Sequence, residues 1–215
     1  RVVVLLTQHH GLVRGVAKGV RKAKSRFGSR LQPFVEVDAL IYPGKNLATI
    51  ASADTVTYYG ARIIDDFDRY AAACAVLETA EKLSYDEADP ALFALVEGAL
   101  ENLQTDQHPT MVLDAFILQA TEHAGWGLSL FNCANCGAPG PHKAFNAAVG
   151  GAVCNNCRPP GSLDVERETL HDLWLMQRGS PVSSQRAAQI HRATVAHLQF
   201  NLETGLKSLK IMEQA

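Results

Sequence analysis

Four of the five cysteines fall into two pairs, Cys133-Ala-Asn-Cys136 and Cys154-Asn-Asn-Cys157, with 17 residues between the pairs. Two residues between thiolates let both sulfurs of a pair reach one tetrahedral ion, and the gap suits a zinc ribbon or a related module. The chemistry predicted is one structural zinc ion held by Cys133, Cys136, Cys154 and Cys157, with no position left open for water. Gly137 is placed to take the positive φ of a turn whose N–H groups point at sulfur. Phe145 and Val149 are expected to fill the hairpin between the pairs, and Gly150-Gly151 to let the chain return. His142 reads as a solvated loop histidine rather than a ligand, and Cys74 as an inert core residue. A reversible thiol switch is the chief rival reading of the four cysteines, and two disulfides come behind it.

A second group of residues could bind an anion. Residues 1–45 hold nine lysines and arginines against Glu36 and Asp38, a balance of +7, which leaves eleven against twenty, or −9, for the remainder. Concentrating like charge carries an electrostatic cost, so a basic head on an acidic body points to an anionic partner, and nucleic acid is the commonest. Arg14 and Lys18 are expected on one face of a strand, with Arg21, Lys22, Lys24, Arg26 and Arg30 in the following loop and no acid among them. Such a segment can track a phosphate backbone, with Phe27 available to stack on a base or to pack back on the barrel.

These groups need elements to position them. Val2–Leu6, Leu12–Val20, the alternating run from Val35 to Tyr42 and the Thr/Ile/Val-rich run Leu47–Tyr58 read as strands, with glycines at 11, 15 and 19 marking bends. Short, bent strands in a small segment suggest a closed barrel, either an OB-fold or an SH3-like barrel. An OB-fold needs a fifth strand, expected upstream of Arg1. From Ala61 the period becomes helical: Ile63, Phe67, Tyr70, Cys74 and Leu77 make one apolar stripe. Asp89-Pro90 and Pro109 open two further helices, Leu170–Met176 suggests a short one, and Val195, Leu198, Leu202 and Leu209 form a stripe along a long segment from Arg186. The fold class expected is α+β, a barrel over residues 1–58 and a helical domain over 59–215 with the zinc module inserted at about 131–160.

Several function classes find no support. No histidine has glutamate two positions on, and no proline precedes either cysteine pair, which removes the base-deaminase pattern. His-Glu-x-x-His, Gly-x-Ser-x-Gly and Gly-x-Gly-x-x-Gly are all missing, and Gly44-Lys45-Asn46 lacks the rest of a phosphate loop. The expectation is a binding protein rather than an enzyme. No apolar run is long enough to span a bilayer and no secretory leader opens the chain, so the expected compartment is the cytoplasm.

Taken together, the order of parts resembles one family. Leu5-Leu6-Thr7, then His10-Gly11-Leu12-Val13-Arg14-Gly15-Val16-Ala17-Lys18-Gly19-Val20-Arg21-Lys22 and Phe27-Gly28-Ser29-Arg30-Leu31-Gln32-Pro33-Phe34, look like the start of the bacterial RecO family. Ala73 to Glu81 and His197 to Glu203 resemble its helical segments, and Cys133 to Cys157, continuing Arg158-Pro159-Pro160-Gly161-Ser162, its zinc module. The resemblance implies an N-terminal OB-fold joined to a helical domain. It also implies binding of single- and double-stranded DNA, annealing of complementary strands without ATP, and work with RecR to load RecA onto strands coated by single-strand-binding protein. Carried over by position, Arg14, Lys18, Arg21, Lys22, Lys24, Arg26 and Arg30 fall in the basic strand and loop of the OB-fold. The contact with the acidic tail of single-strand-binding protein falls, as the resemblance implies, to the helical domain. The connections after Ser162 and Gly179 are shorter than the family pattern.

Overall fold

Alternating apolar residues with bulge-forming positions build the first part of the molecule: β1 (Val2–Thr7), β2 (Gly11–Val16), β3 (Val35–Tyr42) and β4 (Ala48–Tyr58). The computed structural model describes residues 1–18, 27–85, 87–203 and 205–212, with only the backbone of Lys210. The strand expected to reach Val20 ends at Val16, and residues 19–26 lie outside the described part. Sheet order is β1-β2-β4-β3, with antiparallel hairpins at each side and a parallel β2–β4 pair joining them, Gly15 opposite Ala48. This is the order of the second to fifth strands of an OB-fold, which selects that barrel over the SH3-like one. Register shifts at Glu36/Val37 and Leu40/Ile41 bend β3 against β4, as bulges do. Gly15 is required by packing: a Cβ there would lie 2.8 Å from Cγ1 of Ile50, the buried centre of the barrel.

Helices follow. Asp66 caps α1 (Phe67–Leu83) by accepting from the Arg69 N–H at 3.0 Å, and Asp89 caps α2 (Pro90–Leu103) through the Leu92 N–H at 2.9 Å. Pro90 and Pro109 occupy first-turn positions where no N–H is needed, at the starts of α2 and α3 (Pro109–His123). The buried face of α1 differs from the expected stripe. It consists of Ala71, Ala72, Ala73, Ala75, Val76, Thr79, Ala80 and Leu83, whereas Phe67 and Tyr70 are 54% and 43% exposed and Cys74 and Leu77 only partly covered. Alanine side chains let neighbouring helices approach α1 closely, so the crowded face is the one with small residues. Cys74 therefore sits at the rim of the core rather than inside it, and burial raises its thiol pKa.

The expected long C-terminal helix is two. α5 (Ala187–Leu202) stops at Glu203, which is left-handed with φ 54°, and Leu209 belongs to a separate helix, α6 (Lys207–Met212). Glu78 of α1 holds α6 in place, accepting from the Lys207 and Ser208 N–H groups at 2.9 Å and the Ser208 hydroxyl at 2.6 Å. The barrel is joined to this body by shared packing, for Leu6, Phe34 and Tyr59 pack into the helical core. Phe34 reaches it from a left-handed backbone, φ 64°, and its ring meets Tyr70 edge-on at 5.6 Å. No helix among the described residues is long and apolar enough to cross a membrane.

Candidate functional site

Between α3 and α4 (Arg167–Gln177) the chain makes two cysteine turns around short strands, β5 (Ala144–Asn146), β6 (Gly151–Ala152) and β7 (Leu163–Asp164). In the first turn the Gly137 N–H donates to the Cys133 carbonyl at 2.8 Å, with Gly137 at φ 73°. Cys154 and Cys157 form the second, closed by the Cys157 N–H on the Cys154 carbonyl at 3.1 Å. The two are pinned together: the Ala134 N–H donates to the Ala152 carbonyl at 2.8 Å, and the Cys154 N–H points at the Cys133 sulfur at 3.4 Å. The return depends on Gly151, at φ 149°, where a Cβ would fall 2.0 Å from the Ser129 carbonyl oxygen. Val149 packs beside the cysteines, while Phe145, fully buried, points the other way and ties the module to α4 and α5.

The four sulfurs lie within 4.8 Å of one another. Cys136 and Cys154 are 3.9 Å apart, close to the ~3.8 Å edge expected of a tetrahedron with Zn–S bonds of ~2.3 Å. None of the cysteines is in a disulfide. N–H groups of Cys154 and Cys136 pull the Cys133 thiol down to about 6, whereas hydrogen bonding with the Cys136 and Cys154 sulfurs pushes Cys157 up to about 12. Like thiols crowded into so small a volume oppose the ionisation of one another. A divalent ion would reverse that resistance, so the donor set, spacing and N–H groups fit a four-thiolate metal site. His142 is not the solvated residue expected. It is buried, and its Nε2 donates to the Ala138 carbonyl at 3.1 Å, bracing the first turn without joining the ligand set.

The cationic residues are placed less uniformly. Arg14 is on β2 and half exposed, with Nη2 3.0 Å from Oε1 of Glu81 on α1. Lys18 is exposed but lies beyond the end of β2. Arg30 is partly covered, with Nε 3.9 Å from Oδ1 of Asp54. Arg21, Lys22, Lys24 and Arg26 lie outside the described residues. Although no acid interrupts the cluster in sequence, the fold brings Glu81 and Asp54 to its two ends. Phe27 takes the second of its two expected places: it is fully buried in the barrel core with Ile50 and Leu31, so its ring is not offered to a base. A large apolar ring, set between charged residues in sequence, finds cover among Ala17, Leu31, Ile50 and Ala53.

A face that sequence reasoning passed over borders the metal module. Arg167, His171 and Arg178 of the α4 segment are exposed and Trp174 half-covered. Spacings of four, three and four place them on one side of a helix, a pattern legible in the sequence. Phe131, 52% exposed, lies against Trp174 at the edge of a groove of about 510 Å³.

Two family models match the chain. Recombination protein O N terminal covers residues 1–59, and Recombination protein O C terminal covers residues 64–210.

Proposed function

The chain belongs to the RecO family of DNA repair and recombination proteins, and from that premise we propose a mediator that binds single- and double-stranded DNA and anneals complementary strands without ATP. With RecR it helps load RecA onto single strands coated by single-strand-binding protein, whose acidic C-terminal tail meets the helical unit. The observation that carries this reading is that both halves of the chain, barrel and helical body, match the two halves of one family. We take residues 1–58 as the OB-fold unit and 59–215 as the helical unit, with the metal module at about 131–160. The working compartment is the cytoplasm, at the nucleoid.

Annealing needs no bond chemistry from the protein. Two strands repel through their phosphates, and a surface that neutralises phosphate charge lowers that repulsion while holding bases available to pair. We assign this to Arg14, Lys18, Arg21, Lys22, Lys24, Arg26 and Arg30, on and beside β2. One zinc ion at Cys133, Cys136, Cys154 and Cys157 supplies a cross-link that folds the module, and Gly137, Gly151 and His142 set the turns that present the sulfurs. Mixing complementary oligonucleotides with the zinc-loaded protein, with and without coating protein and RecR, tests the reading. Annealing faster than the spontaneous rate, without nucleotide, is the expected result; no acceleration in either condition would overturn it.

A second reading draws on the exposed Cys136 and the lowered Cys133 thiol: a zinc-stabilised protein-interaction module or thiol switch that does not bind DNA. Peroxide-driven metal release accompanied by a gain of function would favour it. Annealing by the reduced, metal-loaded protein favours the mediator.

A further inference from the structure

The exposed face of α4, continued by the capping residue at its C-terminal end, carries cation, imidazole, indole and cation in order, at Arg167, His171, Trp174 and Arg178. Phe131, His171 and Arg178 gather around the Trp174 indole, while Arg167 stands one turn further along, paired with Glu168. Phe131 meets Trp174 edge-on with centroids 5.2 Å apart at 69°, His171 lies 5.8 Å from the indole at 33°, and the Arg178 guanidinium stands 5.0 Å from the indole centroid. The carboxylates close by are engaged: Glu168 pairs with Arg167, and Asp172, nearly buried, pairs with Arg186 at 2.7 Å. We propose that this face, Phe131 with Arg167, His171, Trp174 and Arg178, is a second single-stranded nucleic-acid contact, separate from the basic segment of the barrel.

The chemistry favours that occupant. Flat π faces accept bases of any sequence, and guanidinium groups at both ends of the row, ~16 Å apart along the helix, suit phosphates on either side of stacked bases. An open row with charge at each end fits an extended strand better than a peptide that needs a closed pocket for its apolar anchors. The metal module takes part indirectly. Phe131 lies two residues before Cys133, and its carbonyl accepts the Gly140 N–H at 3.0 Å, so the first cysteine turn fixes where that ring stands. Two strand contacts on one chain are what pairing two strands requires. The inference rests on the DNA-binding reading above.

Its test separates the two. Of the two tryptophans, Trp126→Phe leaves Trp174 as the sole indole in the full, zinc-loaded chain. A labelled oligo-dT is titrated while its anisotropy and the Trp174 emission are both followed. Expected is quenching of Trp174 in step with binding, and about fivefold or greater loss of affinity in Phe131→Ala/Arg178→Ala at unchanged zinc content. Binding by anisotropy with Trp174 emission unchanged overturns the second contact and leaves the DNA reading intact. No binding at all overturns both. Quenching by an acidic apolar peptide that oligo-dT cannot displace assigns the face to a peptide and overturns the proposal. Should the double variant lose its fold, the emission of the Trp126→Phe protein alone decides.

Discussion

The metal module and the basic segment of the barrel are built on opposite principles. In the module, four side chains of one type are held within 4.8 Å by turns whose backbone hydrogen bonds and positive-φ glycines leave little freedom. On the barrel, long cationic side chains reach from a strand and the segment after it, and tertiary acids meet two of them, Glu81 at Arg14 and Asp54 at Arg30. Geometry matters in the first and summed charge in the second. Removing one ligand should therefore be ruinous in the module, while removing one cation on the barrel should be graded.

The sharpest way to break that comparison is to remove the metal. Chelation, or Cys133→Ser, is expected to unfold the module and the packing of Phe145 against α4, because structural zinc contributes on the order of 10 kcal/mol to a small site. Circular dichroism melts with and without chelator would show it. An unchanged melt would reduce the site to an ornament.

Phe27 sharpens the other side. Fully buried in the barrel core, it should cost about 3–5 kcal/mol of stability when replaced by alanine, read by urea unfolding. A stacking ring would instead weaken DNA affinity at unchanged stability.

Acid should act on neither region first but on the body between them. His197 is buried on α5, and burial pushes it down to about 4 from 6.5, outweighing the hydrogen bond of its ring to the Trp126 backbone. The unfolded chain takes up that proton first. Stability is thus whole above pH 6.5 and falls as pH drops toward 4, by roughly 3 kcal/mol in all. His197→Phe should flatten that decline in pH-dependent melts.

The smallest effect belongs to Arg14. Its exposed pair with Glu81 is worth less than ~1 kcal/mol, so Arg14→Ala should hardly move the melting temperature, yet it should lower the salt slope of DNA binding by ~0.7.

Legibility in the sequence followed the same division. The cysteine pairs, the caps at Asp89-Pro90 and Pro109 and the four strands were readable because their signals are local: ligand spacing, a missing N–H, alternation. Where burial depends on neighbours distant in sequence, pattern misled. The stripe of Phe67 and Tyr70 looked like a core face, yet the alanine face of α1 is buried because close helix packing rewards small residues. His142 read as a solvated loop residue and is buried, while for Phe27 the sequence left stacking and packing equally open and burial decided it. The α4 face had a readable period, but its significance needs Phe131, brought to it across the metal module.

In the proposed mediator the barrel's basic segment grips the strand while the metal holds a separate scaffold. Single-stranded DNA affinity measured against salt, for the zinc-loaded protein and for Arg21→Ala/Lys22→Ala/Lys24→Ala/Arg26→Ala, tests it most directly. Weaker binding and a log–log slope shallower by up to ~2.8, about 0.7 for each phosphate no longer neutralised, are expected at unchanged zinc content. Affinity and slope equal to those of the parent protein would contradict it.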